Sequence, residues 1–126
     1  MHISVVEDNS TVLTMIEAAL TLYGHTVETF NNPSSFLRAM QRPECTLPYD
    51  VLIVDLFLNG LSGIDLVEAL QATRPQLIPA ILISAAEERT LAPIRKCYPN
   101  MPVLQKPFKM RALLSLIDEV ITTVKV

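Results

Sequence analysis

Five short apolar runs, each followed by a segment with helical spacing, constrain the fold of this chain more than any other feature. The clearest run is Val51-Leu52-Ile53-Val54, in which every side chain is apolar. A strand of this kind is expected where helices cover both faces of a sheet. Regular alternation of strands and helices is typical of βα units that form a parallel sheet. The sequence therefore predicts an α/β fold, a doubly wound five-stranded parallel sheet built from five βα units.

The predicted strands cover residues 3–6, 26–30, 51–54, 80–83 and 103–104. In the second of them, Val27 and Thr29 alternate with Thr26, Glu28 and Phe30, which favours an edge or near-edge strand. Asn9-Ser10 can cap the first helix, and Gly24 can end it. Asn31-Asn32-Pro33 begins the second helix, since proline suits a first turn.

Helical spacing also predicts which side chains face the sheet. In the first helix these are Val12, Ile16, Ala19 and Tyr23, and in the last helix Leu114, Ile117, Ile121 and Val124. The segment 87–98 is a poor helix because Pro93 removes a backbone donor. We expect that segment to be short, bent or partly unwound.

Length and charge narrow the possible functions. The 126 residues fit one domain, predicted over residues 1–126, and the ten basic residues are scattered in a chain of net charge −3. Direct binding of nucleic acid is not expected, because it requires clustered Lys and Arg. No apolar run approaches the roughly 20 residues that span a membrane. With no basic leader and only two isolated cysteines, Cys45 and Cys97, a cytoplasmic location is expected.

Polar residues follow the predicted strands at the points where the strands end. Glu7 and Asp8 follow the first strand, Asp55 the third, Ser84 the fourth and Lys106 the fifth. Sites in open parallel sheets lie at the carboxyl ends of the strands, near the switch in strand order. These side chains are therefore expected to meet at one edge of the sheet.

Three carboxylates at one edge would repel one another in a partly desolvated pocket, and a divalent cation would relieve that repulsion. Oxygen ligands suit a hard ion such as Mg²⁺, for which we expect Mn²⁺ to substitute. Asp55 could then act as the nucleophile of aspartyl-phosphate chemistry. Ser84 offers a hydroxyl and Lys106 a positive charge to the phosphoryl oxygens.

The chain resembles the receiver domains of two-component response regulators along essentially its full length. The matching stretches are Val5-Val6-Glu7-Asp8-Asn9, Leu52-Ile53-Val54-Asp55-Leu56, Gly60-Leu61-Ser62-Gly63, Leu82-Ile83-Ser84-Ala85 and Lys106-Pro107-Phe108. Each stretch alone is weak evidence for the family, but the order and spacing of all five together are specific to it. The resemblance implies the flavodoxin-like strand order 2-1-3-4-5. It also implies a signalling switch, and not an enzyme, whose aspartate accepts a phosphoryl group from a sensor histidine kinase or a histidine phosphotransfer protein.

The resemblance further implies the role of each residue. Asp8 and Asp55 would bind Mg²⁺ directly, Glu7 mainly through water, and Phe57 through its backbone carbonyl. Ser84 and Lys106 would sense the phosphoryl group, and the Lys106–Pro107 peptide bond would be cis. The face made by the fourth helix, fifth strand and fifth helix would contact an output domain, another partner or a second copy of the chain.

The sequence departs from the family pattern at several positions. Val103 stands where an aromatic switch residue is usual, and Asn59 stands where many members have proline. Phe57 and Ala86 occupy the positions that flank the phosphoryl group. Because both are apolar, neither can orient an attacking water, and we expect a fairly long-lived phosphorylated state.

Three alternative functions stay open at this point. The chain could bind partners without phosphorylation, although its site looks complete. It could hold FMN, as flavodoxin-like folds do, but Glu7-Asp8 would repel a phosphate in the loop that should cradle it. It could be an aspartyl-phosphate phosphatase, but those enzymes usually carry an acid two residues after the nucleophile, where this chain has Phe57.

Overall fold

The computed structural model describes residues 1–41, 50–58, 60–73 and 79–125, with side chains described to residues 72 and 121 of the last two ranges. The main sheet contains β1 (His2–Val6), β2 (Thr26–Phe30), β3 (Val51–Asp55), β6 (Ala80–Ser84) and β7 (Val103–Gln105). A small antiparallel hairpin contains β4 (Phe57–Leu58) and β5 (Leu61–Ser62). The helices are α1 (Ser10–Leu22), α2 (Pro33–Met40), α3 (Gly63–Thr73), α4 (Glu88–Cys97) and α5 (Met110–Lys125).

The main sheet has the order β2-β1-β3-β6-β7, and all its neighbouring strands are parallel. This is the order 2-1-3-4-5 for the five strands taken along the chain, so the predicted fold class is confirmed. Strand β2 lies at an edge of the sheet, as its alternating sequence predicts. Strands β1 and β3 lie next to each other in its interior, where the strand order switches direction.

Each face of the sheet is covered by its own hydrophobic core. One core contains Phe30 and Phe36, whose rings meet edge to face with centroids 5.2 Å apart, together with Leu66 and Leu91 from α3 and α4. The other packs α1 and α5 against the alternate side chains of β1, β3 and β6. Burial on both faces explains why the central strands read as continuous apolar runs.

The predicted helix boundaries have clear local causes. The side chain of Asn9 accepts hydrogen bonds from the backbone N–H groups of Thr11 and Val12, and so caps α1. Asn32 caps α2 in the same way, with Pro33 in its first turn. Gly24 follows α1 with a φ of 90°, a left-handed conformation that favours glycine.

The inward faces of two helices differ in part from the predicted ones. In α1, Ile16 is buried as predicted, but Leu20 is its buried neighbour and Tyr23 is 65% exposed. Tyr23 lies at the end of the helix, where a side chain can turn away from the sheet. In α5, the buried residues are Leu113, Ile117 and Val120, with Leu114 and Ile121 only half-buried beside them. The Val124 side chain lies outside the described residues.

Helix α4 runs unbroken through Pro93 for ten residues, so it is not unwound there, which was one of the three outcomes expected for this segment. Pro93 is the sixth of the ten helical residues and removes one backbone donor, so the helix gives up one internal hydrogen bond there without ending. The helix lies mainly on the surface, and only Leu91 is fully buried. Within the described part of the chain, no helix is both long and apolar enough to cross a membrane.

Candidate functional site

The site lies at the carboxyl ends of β1 and β3, in the middle of the sheet. Asp55 is the last residue of β3, and Glu7 directly follows β1, where its N–H donates to the carbonyl of Phe30 at 3.0 Å. Glu7 is fully buried and Asp55 is 6% exposed, whereas Asp8 is exposed. Carboxylate oxygens of Glu7, Asp8 and Asp55 all lie within 4.8 Å of one another. The three acids therefore form one cluster.

Lys106 reaches this cluster from the edge strand β7. Its Nζ lies 2.8 Å from Glu7 Oε2 and 2.8 Å from Asp55 Oδ2, so one ammonium group bridges the two buried carboxylates. The Lys106 N–H donates to the carbonyl of Ser84 at 2.6 Å, which fixes the start of this loop against β6. The Lys106–Pro107 bond is cis, as the resemblance implies.

The second oxygen of each buried carboxylate accepts a hydrogen bond from the backbone. The N–H of Phe57 donates to Asp55 Oδ1 at 2.9 Å, and the N–H of Asn9 donates to Glu7 Oε1 at 3.1 Å. Each carboxylate is therefore held between an ammonium and an amide. Such charge-assisted contacts fix the orientation of both groups.

The pKa values of two groups of the site, Glu7 and Lys106, are both raised. Burial of the Glu7 carboxylate raises its pKa to about 7, in spite of the hydrogen bond from Lys106. Burial of the Lys106 ammonium would lower its pKa, but the hydrogen bonds to Asp55 and Glu7 outweigh it, and the pKa is raised. Lys106 is thus held in its charged form, while Glu7 can gain a proton near neutral pH.

Ser84 lies buried at the same sheet edge, in the strand next to β3. Its Oγ accepts a hydrogen bond from the N–H of Ala86 at 3.0 Å. The structure thus brings Glu7, Asp8, Asp55 and Lys106 into one cluster, and turns the Ser84 hydroxyl oxygen toward its own loop.

The other predicted positions surround this cluster. Phe57 follows Asp55 closely, and the residue is 55% exposed. Ala86 is half-buried and Val103 is buried at 4% exposure. Asn59 lies outside the described residues.

The roles of two supporting residues were not predicted from the sequence, although Gly63 belongs to one of the stretches that match the family. Gly63 begins α3, its N–H donates to the carbonyl of Leu56 at 2.7 Å, and a Cβ at Gly63 would clash with the carbonyl oxygen of Asp55. A glycine at the start of a helix that follows a site loop was the available signal. Gln105 donates through its side-chain amide to the carbonyl of Ala86 at 2.9 Å, and nothing in its sequence context indicates this.

The donor set of the cluster fits a hard divalent cation. It consists of carboxylate oxygens alone, two of them buried and one exposed, at an edge that the exposed Asp8 leaves open to solvent. Mg²⁺ is commonly bound by one or two carboxylates and completes its coordination with water and phosphate oxygens. The same edge therefore combines a buried carboxylate, a cationic ammonium and the oxygen ligands that phosphoryl chemistry requires.

Comparison with known proteins identifies the family. Residues 3–118 match the family described as the response regulator receiver domain. The chain therefore belongs to the receiver domains of two-component response regulators, and the resemblance seen in the sequence is confirmed.

Among its relatives, the DNA-binding transcriptional regulator NtrC of Klebsiella pneumoniae is 28% identical over 118 residues, which is 94% of this chain and 24% of that protein. A probable transcriptional regulatory protein of Picosynechococcus is 30% identical over 117 residues, 90% of this chain and 46% of that protein. The crystal structure of a receiver domain protein from Clostridium thermocellum has a TM-score of 0.84 and 26% identity, covering 98% of this chain and 96% of that one. The chain thus spans about a quarter of the length of NtrC.

Proposed function

We propose that this receiver accepts a phosphoryl group on Asp55 from a phosphohistidine of a sensor histidine kinase or a histidine phosphotransfer protein. One observation carries the proposal. The Asp55 carboxylate is buried at the end of β3, within 4.8 Å of two other acids and 2.8 Å from Lys106 Nζ. A structural ion pair needs only one acid and one base, whereas three acids and one lysine suit an anionic, metal-dependent reaction.

In the transfer, a carboxylate oxygen of Asp55 forms a bond to phosphorus as the P–N bond of the phosphohistidine breaks. The electron pair of that bond stays on the imidazole nitrogen of the donor. The Asp55 carboxylate loses its own charge, the donor imidazole leaves neutral because its ring keeps a proton, and the phosphoryl oxygens bring their negative charge beside Asp55, where Lys106 can contact them. Ser84 would donate its hydroxyl hydrogen to a second phosphoryl oxygen.

The same acids would hold Mg²⁺, or Mn²⁺ in its place. Asp8 and Asp55 would bind the ion directly, Glu7 through water, and Phe57 through its carbonyl. When bound, the ion supplies neutralising charge to the carboxylates and the phosphoryl oxygens. The N–H of Phe57 donates to Asp55 Oδ1 at 2.9 Å, so the backbone of Phe57 begins beside the nucleophile.

Phosphorylation would change which partner this domain binds, and the domain would work as a switch and not as an enzyme with a substrate of its own. The proposed reading surface is the face of α4, β7 and α5, which would contact an output domain, another partner or a second copy of the chain. The relative NtrC is described as a DNA-binding transcriptional regulator. We do not assign direct nucleic-acid binding to the residues of this chain, and a cytoplasmic location stays a prediction.

The phosphorylated state is proposed to last well beyond seconds. The positions flanking the site carry the apolar side chains of Phe57 and Ala86, which cannot orient water for attack on the acyl phosphate. Removal of Mg²⁺ by a chelator should lengthen the lifetime further. A half-life of seconds, or one that a chelator barely changes, would contradict this part of the proposal.

The central test is phosphorylation by acetyl phosphate in the presence of Mg²⁺, followed by intact mass. The wild-type chain should gain one phosphoryl group, which Asp55→Asn abolishes and Asp65→Asn retains. Asp65 is a matched control because it is an exposed aspartate in the first turn of α3. Labelling of Asp55→Asn at the wild-type rate would refute the proposal and leave a phosphorylation-independent receiver.

A further inference from the structure

The peptide units of Ala86 are held from both sides by residues at the site edge. Its N–H donates to Ser84 Oγ at 3.0 Å, and its carbonyl accepts from Gln105 Nε2 at 2.9 Å. Ser84 and Gln105 are themselves paired across β6 and β7. The loop between β6 and α4 is therefore fixed by one hydroxyl of the site and one amide of the edge strand.

A second contact joins the other end of β7 to α4. Arg95 Nη1 donates to the carbonyl of Val103 at 2.6 Å, while Arg95 Nε and Nη2 contact the carboxylate of Glu88 at 2.8 and 3.3 Å. Leu91 is the one fully buried residue among those of α4, all of which the structure describes. Polar contacts with β7 therefore add to the packing of Leu91 and the half-buried Ile94 in positioning this helix.

We propose that Gln105 is a positioning residue that couples Ser84 to α4 through the peptide units of Ala86, with the Arg95–Val103 contact as the second attachment of the helix. The inference rests on the proposed function, because Ser84 is taken to respond to the phosphoryl group. It adds Gln105, and a connection from Ser84 to α4, to the residues of the acid cluster.

The route follows from the order of the contacts. A movement of Ser84 Oγ toward a phosphoryl group on Asp55 takes it away from the Ala86 N–H, to which it is now bonded. Ala86 then keeps only its contact with Gln105, and α4 begins two residues later at Glu88. Val103 has no ring that could move with Ser84, and it is already buried at 4% exposure. The hydrogen bonds of Ala86 offer a route for the movement that does not need such a ring.

Two substitutions separate a hydrogen bond from mere packing at position 105. Gln105→Met keeps the length of the side chain and removes the donor, whereas Gln105→Lys restores an N–H donor. Hydrogen exchange of the α4 amides is the readout, in the unmodified protein and after acetyl phosphate with Mg²⁺. We expect Gln105→Met to speed exchange in α4 roughly fivefold, as loss of one modest hydrogen bond would. Gln105→Lys should return most of that protection, and Gln41→Met should match the wild type.

The coupling itself is tested by combining substitutions in the unmodified protein. Ser84→Ala should also speed exchange in α4, and the double variant with Gln105→Met should gain less than the product of the two effects, because both residues hold the same segment. Independent, multiplicative effects would overturn the coupling. Equal behaviour of Gln105→Met and Gln105→Lys, or wild-type exchange in Gln105→Met, would overturn the role of the amide.

Failure of this inference can be told apart from failure of the proposed function. Intact mass of the same samples reports whether Asp55 is phosphorylated. A wild-type chain that never gains a phosphoryl group refutes the proposed function, while the exchange rates of the unmodified variants still decide whether Gln105 and Ser84 act together.

Discussion

The middle of the sheet and its α4–β7 edge are built in different ways. At the ends of β1 and β3, Glu7 and Asp55 are buried, and backbone N–H groups hold one oxygen of each carboxylate. At the edge, α4 buries Leu91 fully, Arg95 attaches the helix to β7, and Gln105 of β7 holds the loop before the helix. One region is fixed by the backbone and the core, the other by the half-buried Arg95 and the exposed Gln105 side chains.

This difference assigns separate tasks to the two regions. Groups that stabilise developing charge work best when they are held in place before the reaction. Segments that respond to a signal are drawn from the less stable parts of a structure, with few buried contacts. The acid cluster fits the first description and α4 fits the second. Lys106 and Ser84 lie between them. Lys106 connects the cluster to the end of β7, and Ser84, whose carbonyl accepts from the Lys106 N–H, holds the loop before α4 through its hydroxyl oxygen.

Gly63→Ala should produce the largest change, because it disturbs the fixed region directly. The added Cβ would clash with the carbonyl oxygen of Asp55 and would lie 3.1 Å from Leu56 Cα, and both contacts are with backbone that cannot easily yield. We expect a loss of about 3 kcal/mol in the free energy of unfolding, measured with urea. The rate of phosphorylation should fall as well, since Asp55 is displaced.

Gly24→Ala is the control for that substitution. Nothing lies within 4 Å of a Cβ at Gly24, so only its left-handed φ of 90° opposes the change. Its cost should be about 1 kcal/mol, with no effect on phosphorylation. If both glycine variants lost equal stability and both kept normal phosphorylation, the fixed character of the site would be disproved.

Lys106→Met should produce the next largest effect. It leaves the Glu7 and Asp55 carboxylates close together without the ammonium that bridges them. Without Mg²⁺ we expect the free energy of unfolding to fall by about 2 kcal/mol, and addition of Mg²⁺ should narrow the difference. The exposed Lys96 supplies the control, since Lys96→Met should change little. Equal stability of the two lysine variants would mean that the bridge contributes nothing.

Much of the fixed region was predictable from the sequence, for a physical reason. Strands buried on both faces read as apolar runs, and the rule for parallel sheets places their carboxyl ends at one edge. The sequence alone therefore predicted that one edge of the sheet brings together Glu7, Asp8, Asp55 and Lys106. The strand order, and the edge position of β2, followed the prediction too.

The α4–β7 edge was much less predictable. The inward face of α5, in the other core, was also hard to predict. Helical spacing does not fix which of two neighbouring residues turns inward, and Val120 is buried where Ile121 was predicted to be. Pro93 argued for an unwound segment, but the helix continues through it. Gln105 reaches Ala86 across 19 positions of sequence, a contact that depends on how two elements pack and leaves no local pattern. Contacts between side chains of surface elements are set by tertiary structure alone.

Mg²⁺ affinity should depend on pH through Glu7. Its raised pKa, about 7, favours the protonated carboxyl in the folded protein. The resulting stabilisation of the metal-free fold is complete below the ordinary pKa of 4.5 and is lost as the pH rises through about 7. Because Mg²⁺ favours the ionised acid, its affinity should rise by up to about tenfold between pH 6 and 8. Calorimetric titration measures this, and Glu7→Gln should flatten the dependence. A wild-type affinity that does not change over this range would show that Glu7 is not linked to the metal.

Glu88→Gln should have the smallest effect on overall stability, and it tests the adjustable edge. The Glu88–Arg95 pair is half-exposed, with side chains 58% and 40% accessible. Such pairs contribute little, so the free energy of unfolding should change by about 0.5 kcal/mol or less. Exchange of the α4 amides should nevertheless become faster, because Arg95 loses the partner that aims it at the Val103 carbonyl. Glu87→Gln is the control, because Glu87 pairs with Arg89, which lies outside this contact. High salt should remove most of the difference from the wild type, since it screens exposed charges. A loss of overall stability as large as that of Lys106→Met would place the Glu88 pair in the fixed part of the molecule and remove the contrast between the two regions.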